Sequence, residues 1–84
     1  MTWTVYIIEA DDGRLYTGVT TDMERRWREH VDGRGGAKFF RGRKPQALRY
    51  TESALDRSAA QRREHRIKGM SRQAKLRLIG EAAR

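Results

Sequence analysis

Residues Val5 to His30 read VYIIEADDGRLYTGVTTDMERRWREH. Thr2 to Ala10 is apolar and β-branched enough to be a strand, Leu15 to Thr20 is its partner, and Asp11-Asp12-Gly13 stands between them, which together spell a β-hairpin. The length of the turn decides which side chains share a face. A two-residue Asp12-Gly13 turn puts Tyr6 and Tyr16 on opposite faces. A three-residue loop, with Gly13 in the left-handed conformation of a bulge, pairs position 6 with 18 and 8 with 16, and brings both tyrosines to one face. The three-residue loop is expected. Gly18, opposite Tyr6, then leaves open space beside that ring for an approaching ligand.

The same stretch runs on into a helix. Thr21-Asp22-Met23-Glu24 reads as a capping box, so the helix is expected to begin near Asp22. Met23, Trp27 and Val31 recur every four residues as its core stripe. Arg26 and His30, also four apart, lie on the flank of that stripe and face the sheet edge. Asp32-Gly33 closes the helix.

Beyond it, the glycine-rich run GRGGAKFFRGRKP interleaves Arg34, Lys38, Arg41, Arg43 and Lys44 with Phe39 and Phe40. This reads as a phosphate-tracking surface with a short helical turn around Ala37 to Phe40, and at least one phenylalanine in the core. Gln46 to Glu52 is expected to be a third strand. Ser53 is expected to cap a helix reaching about Lys68, with Leu55, Ala59, Arg63 and Ile67 along one side and Glu64 at the border of the buried stripe. Gly69 stops that helix. Ser71 starts the last one, whose Leu76, Ile79 and Ala83 turn inward. The order β-β-α-β-α-α with short loops predicts an α+β fold: a three-stranded antiparallel β-sheet flanked by helices, in a single domain over residues 1–84.

Nineteen Lys and Arg stand against eleven Asp and Glu, a net charge of +8, in 84 residues without cysteine. The absence of cysteine excludes a disulfide scaffold and a thiolate metal site. No apolar run approaches the length of a membrane span, and no signal pattern opens the chain, which favours the cytoplasm. Arginine dominates the positive excess, and its planar fork of donors suits phosphate, so the expected partner is a nucleic acid.

Five side chains can be combined into phosphodiester chemistry. Arg26 offers fixed donors for charge developing on a phosphoryl group. Glu64 is the carboxylate placed to hold a hard cation, and a lone carboxylate with waters suits magnesium. Tyr6 or Tyr16 near such a cation could accept a proton from water, and His30 could act as a second base, a proton shuttle or a donor to phosphate. Each also has an ordinary reading: tyrosines as core aromatics with wet tips, Arg26 paired with Glu29 or Asp22, a solvated His30, Glu64 in a structural ion pair. Composition and spacing alone stop at a basic α+β nucleic-acid binder.

The motifs go further. Val5-Tyr6-Ile7 and Tyr16-Thr17-Gly18, with ten residues from tyrosine to tyrosine, resemble the paired signature of the GIY-YIG nuclease superfamily. Glu24-Arg25-Arg26-Trp27-Arg28-Glu29-His30 resembles its helical block, and Arg63-Glu64 followed by Ile67-Lys68 resembles the block carrying its metal-binding glutamate. The likeness covers most of the chain and is nearest to the small stand-alone bacterial members. Thr4-Val5-Tyr6 stands where the name has Gly-Ile-Tyr, and Thr17 replaces an isoleucine; both tyrosines and Gly18 are kept. The resemblance implies a metal-dependent endonuclease cutting DNA, with RNA left open and little sequence preference of its own. It places Tyr6 and Tyr16 beside the attacking water and scissile phosphate, without choosing which is the base. Arg26 would stabilise phosphoryl charge, His30 would assist proton transfer, and Glu64 would hold a single Mg2+ or Mn2+ ion. The target-recognition domain of larger members has no counterpart here, which leaves room for a targeting partner protein. The alternative is a non-catalytic nucleic-acid-binding module on the same scaffold.

Overall fold

The run Val5–Ile8 is apolar without alternation because both faces of its strand are covered. In the computed structural model, which describes residues 2–33 and 35–83, β1 (Trp3–Ala10) lies between β2 (Leu15–Thr20) and β3 (Pro45–Ala54). Both pairings are antiparallel. Helix α1 (Met23–Asp32) and a short 3-10 turn at Lys38–Phe40 lie between β2 and β3, and helices α2 (Arg57–Lys68) and α3 (Arg72–Ala82) follow β3. The fold is α+β in the expected order. Arg34, expected on the basic surface, lies outside the described residues. Among the described residues no helix is long and apolar enough to cross a membrane.

The hairpin takes the three-residue turn. Gly13 has φ 85°, its N–H donates to the Ala10 carbonyl at 2.9 Å, and the Ala10 N–H donates to the Arg14 carbonyl at 2.8 Å. Tyr6 therefore pairs with Gly18, and Ile8 with Tyr16. One face of β1 presents Tyr6, Ile8 and Ala10 to Phe40, with Met23 and Trp27 of α1 packed against them. The other presents Val5 and Ile7 to Ala60 and Ile67 of α2, with Leu78 and Ile79 of α3 alongside.

Several expected details change. The N-cap of α1 is Asp22, whose carboxylate accepts from the Arg25 N–H at 3.0 Å, so the Thr21 box is not used. Val31 is 52% exposed and leaves the core stripe, while His30 is buried. Helix geometry explains the exchange: at about 100° per residue, the position seven after Met23 returns to within about 20° of it, whereas the eighth is about 80° away. Strand β3 runs beyond Glu52 because Thr4 and Trp3 pair with Ser53 and Ala54. Ser53 is thereby taken into the sheet and cannot cap a helix. The cap of α2 is Asp56, accepting from the Ala59 N–H at 2.8 Å, and Leu55 sits 94% exposed in the connection rather than on the helix's inner side. Ser71 caps α3 as expected. That helix packs a partly buried Leu78 beside Ile79 against the core; Leu76 and Ala83, the C-cap, are exposed.

Gly18 has a different reason from the one anticipated. A Cβ placed there would fall on the Tyr6 ring, against its hydroxyl and 2.5 Å from Cζ, and would also meet Cε2 of Tyr16 at 3.0 Å. The room beside Gly18 is occupied by Tyr6 itself. Gly18→Ala should therefore displace the ring and lower unfolding free energy by about 1–3 kcal/mol, as overpacking does. Gly80 of α3, where an added Cβ would meet nothing within 4 Å, is the control. Gly80→Ala should raise stability by up to about 1 kcal/mol on helix propensity. Urea unfolding of the two variants beside wild type reads both signs.

Candidate active site

Tyr6, Tyr16, Arg26 and His30 come together on the α1 face of the sheet. The register supplies the tyrosines and one turn of α1 supplies the other two. The Tyr6 hydroxyl and His30 Nε2 are 2.8 Å apart, in a hydrogen bond between two fully buried side chains. On the other side of the imidazole, Nδ1 accepts from the Ala37 N–H at 3.3 Å. A neutral imidazole has one donor and one acceptor nitrogen, so this assigns the proton to Nε2, which donates to the Tyr6 oxygen. The Tyr6 proton is then left to be donated elsewhere. Gly36 makes the arrangement reachable: a Cβ there would lie 2.8 Å from the Glu29 carbonyl, so only glycine lets the loop close on the end of α1.

Aromatic rings wall the cluster. Tyr16 meets His30 edge-on with centroids 5.5 Å apart, and Phe40 packs 4.6 Å from His30. Phe39 and Phe40 both lie 5.3 Å from Tyr16. Phe40 is the core phenylalanine; Phe39 is half-buried. The Arg26 guanidinium sits beside the phenol of Tyr6, held by Glu29 Oε1 at 3.0 Å and the Gly35 carbonyl at 2.8 Å. The Glu29 pairing considered from sequence is thus present, and it fixes Arg26 at the cluster's edge.

Burial sets the protonation states. It pushes the Tyr6 phenol up to about 12, against the opposing pull of Arg26, while nearby Tyr16 and Glu64 add to the rise. Burial also brings His30 down to about 4, helped by the Arg26 charge and opposed by Glu29. At neutral pH the pair is phenol and neutral imidazole.

The basic loop divides. Lys38, Arg41 and Lys44 are at least partly exposed. Arg43 is engaged internally: it donates to Asp12 Oδ2 at 2.7 Å and to the Phe39 carbonyl at 3.0 Å, and lies 4.7 Å over the Phe39 ring. Sequence reading missed the partners that build the site: Asp12, Gly36, the Ala37 N–H and the aromatic wall. The one available signal was the density of glycine and phenylalanine between α1 and β3.

This geometry accompanies a direct likeness to known proteins. Residues 2–77 match the GIY-YIG catalytic domain. The chain belongs to the GIY-YIG family. It is 56% identical over 71 residues to a UPF0213 protein of Halobacterium salinarum, covering 84% of this chain and 91% of that one. It is 43% identical over 81 residues to the UPF0213 protein YhbQ of Escherichia coli, covering 96% and 80%. The solution structure of a UPF0213 protein from Bacillus halodurans superposes with a TM-score of 0.60 at 42% identity, covering 95% of this chain and 84% of that chain.

The GIY-YIG signature can now be placed on the sheet. Thr17, at the isoleucine position, is buried with its hydroxyl lacking a partner among the described residues. Glu64 on α2 is partly buried and pairs with Lys68 at 3.5 Å. Among the described residues no three His, Asp or Glu side chains cluster as a metal cage. An oxygen donor set of one carboxylate does fit a hard ion such as magnesium, which keeps most of its waters and takes few protein ligands.

The buried imidazole makes stability depend on pH. His30 takes its proton at about 6.5 when unfolded and about 4 when folded. Below pH 6.5 the unfolded chain binds the proton first, so unfolding free energy should fall by about 1.4 kcal/mol per pH unit down to about pH 4, then level off. Urea unfolding across that range should show the slope in wild type, and His30→Gln should lack it. Thr17→Val removes an unpaired buried hydroxyl at constant shape and should raise stability by about 1 kcal/mol in the same assay.

Proposed function

We propose that the protein is a cytoplasmic, metal-dependent endonuclease hydrolysing phosphodiester bonds in DNA, with little sequence preference of its own. The reading rests on family membership and, in the molecule itself, on the Tyr6–His30 hydrogen bond converging with Tyr16 and Arg26. Buried polar groups of this kind are costly to assemble and are not needed to stabilise so small a sheet.

Arg26, its fork held by Glu29 and Gly35, is the donor for charge growing on the phosphoryl oxygens. His30, neutral and committed through Nε2, donates to the Tyr6 oxygen and fixes that ring within the buried cluster. Tyr6 is fully buried and its phenol is raised to about 12, so its role is to orient. Tyr16, half-buried on the same face and more open than Tyr6, is the tyrosine that meets the attacking water. Glu64 would hold the Mg2+ or Mn2+ ion. When bound, that ion supplies positive charge to a phosphate oxygen and lowers the pKa of the water. Lys38, Arg41 and Lys44 track the DNA backbone from the basic loop, and a targeting partner would supply specificity.

A second reading has one observation in its favour. Glu64 already has Lys68 as a partner, as it would in a scaffold that binds nucleic acid without cutting it. The deciding experiment is cleavage of labelled DNA and RNA (single-stranded, duplex, nicked and branched) with Mg2+, Mn2+ or EDTA. Glu64→Ala should abolish cutting, and Tyr16→Phe should slow it by roughly 100-fold or more. Cutting that survives Glu64→Ala would overturn the assignment of the ion to that residue. Salt-sensitive binding without cutting under any metal would establish the binding module instead.

A further inference from the structure

A cleft of about 240 Å3 opens beside the aromatic wall, lined by Arg14, Leu15, Phe39, Arg72 and Lys75. Its residues come from the hairpin, the glycine-rich loop and the first turns of α3. None of the lining side chains is a carboxylate. The nearest acid in the hairpin turn, Asp12, is 3.7 Å from Arg14 Nε and is already bonded by Arg43 at 2.7 Å. The first turn of α3 contains no acidic residue, so Arg72 adds its charge to the positive end of the helix dipole. Asp12, shared between Arg14 and Arg43, offsets only part of the charge on Arg14, Arg72 and Lys75, and an anion seated among these three relieves their remaining repulsion.

The cleft is also aromatic. Phe39 lies along it, carries the Arg43 guanidinium 4.7 Å over its ring, and is 5.3 Å from Tyr16. Cations together with an aromatic ring are the means by which proteins hold single nucleic-acid strands: the charges take the phosphates, and the ring takes a base. The basic groove on α2, lined by Ser58, Gln61, Arg62, His65 and Arg66, offers only the smaller His65 imidazole and no phenyl ring. We propose that the Arg14–Phe39–Arg72–Lys75 cleft is a nucleotide subsite for the residue neighbouring the scissile phosphate. Arg14, Arg72 and Lys75 hold phosphate oxygens, and Phe39 with Leu15 receives the base. The assignment rests on the nuclease reading and sets the side from which the strand reaches Tyr16.

The test uses the intact chain in two assays. In the first, backbone amide shifts are followed by NMR while a short oligothymidylate, inorganic phosphate or an oligoglutamate peptide is added. The oligothymidylate should move the signals of Leu15, Phe39, Arg72 and Lys75 most, and the other two probes should move them less. In the second, binding of a fluorescent single strand is measured against salt for wild type, an Arg14→Gln/Lys75→Gln double variant and Phe39→Leu. Arg72 is left intact because it donates to the Gly13 carbonyl at 2.7 Å. The double variant should flatten the logarithmic salt slope by about 0.7 for each phosphate it no longer neutralises. Phe39→Leu should weaken binding roughly tenfold with the slope unchanged.

An unchanged slope in the double variant, or oligonucleotide shifts centred on α2, would overturn the subsite while Glu64-dependent cleavage still upheld the nuclease. Equal shifts from phosphate or oligoglutamate would reduce the cleft to a general anion site and overturn the nucleotide assignment. A wild type that neither binds nor cuts any nucleic acid would overturn both readings together.

Discussion

The register of the β1–β2 hairpin is the constraint on which the rest depends. Gly13 at φ 85° permits a loop of three residues, and that odd length puts Tyr6 and Tyr16 on one face. A slip of one residue would send either tyrosine to the α2–α3 side and place a side chain opposite Tyr6 where Gly18 now gives way. The bare backbone of Gly18 is what lets the Tyr6 ring lie close enough for its hydroxyl to meet His30. Turn length, ring placement and the buried hydrogen bond are therefore three consequences of one local choice.

That hydrogen bond in turn decides what charge the interior can carry. With Nδ1 committed to the Ala37 N–H and Nε2 to Tyr6, an extra proton on the imidazole would leave Nδ1 donating toward another donor. Burial and the neighbouring Arg26 push the same way. The cluster thus stays uncharged apart from Arg26, whose own compensation comes from Glu29 at the rim. Positive charge at the edge of an uncharged, ring-walled interior is a suitable arrangement for an anionic substrate, because nearby protein dipoles replace water there.

Much of this was legible in the sequence, since the deciding signals are local. Asp11-Asp12-Gly13 marked the hairpin, the four-residue spacing of Arg26 and His30 brought both to the sheet, and Gly69-Ser71 marked the break between α2 and α3. The misreadings arose where two local solutions were equally good and long-range pairing chose between them. Ser53 and Asp56 are both competent caps, and Trp3 and Thr4 drew Ser53 into β3. Val31 and His30 both lie near the stripe of α1, and the helical period favours His30 even though it is polar. Apolarity alone misled there, because the partner that makes His30 acceptable in the core, Tyr6, is 24 residues away. The roles of Gly36 and the Ala37 N–H could not be read from spacing, being matters of backbone approach.

The acidic turn is more than a reversal of direction. Asp11 accepts from the Lys44 N–H at 3.2 Å, its own N–H donates to the Lys44 carbonyl, and Asp12 holds Arg43. On the other side Gly13 accepts from Arg72 of α3. Three consecutive residues therefore tie the basic loop and the last helix to the same hairpin that sets the tyrosines. This explains why Arg43, which looks like its neighbours in sequence, is spent on closure while Lys38 and Arg41 reach solvent. It also means that the loop carrying Phe39 and the helix carrying Lys75 are fixed relative to Tyr16 by short hydrogen bonds rather than by a large core, which 84 residues do not provide. In a chain this small, the same few polar contacts that complete the fold also position whatever binds beside it.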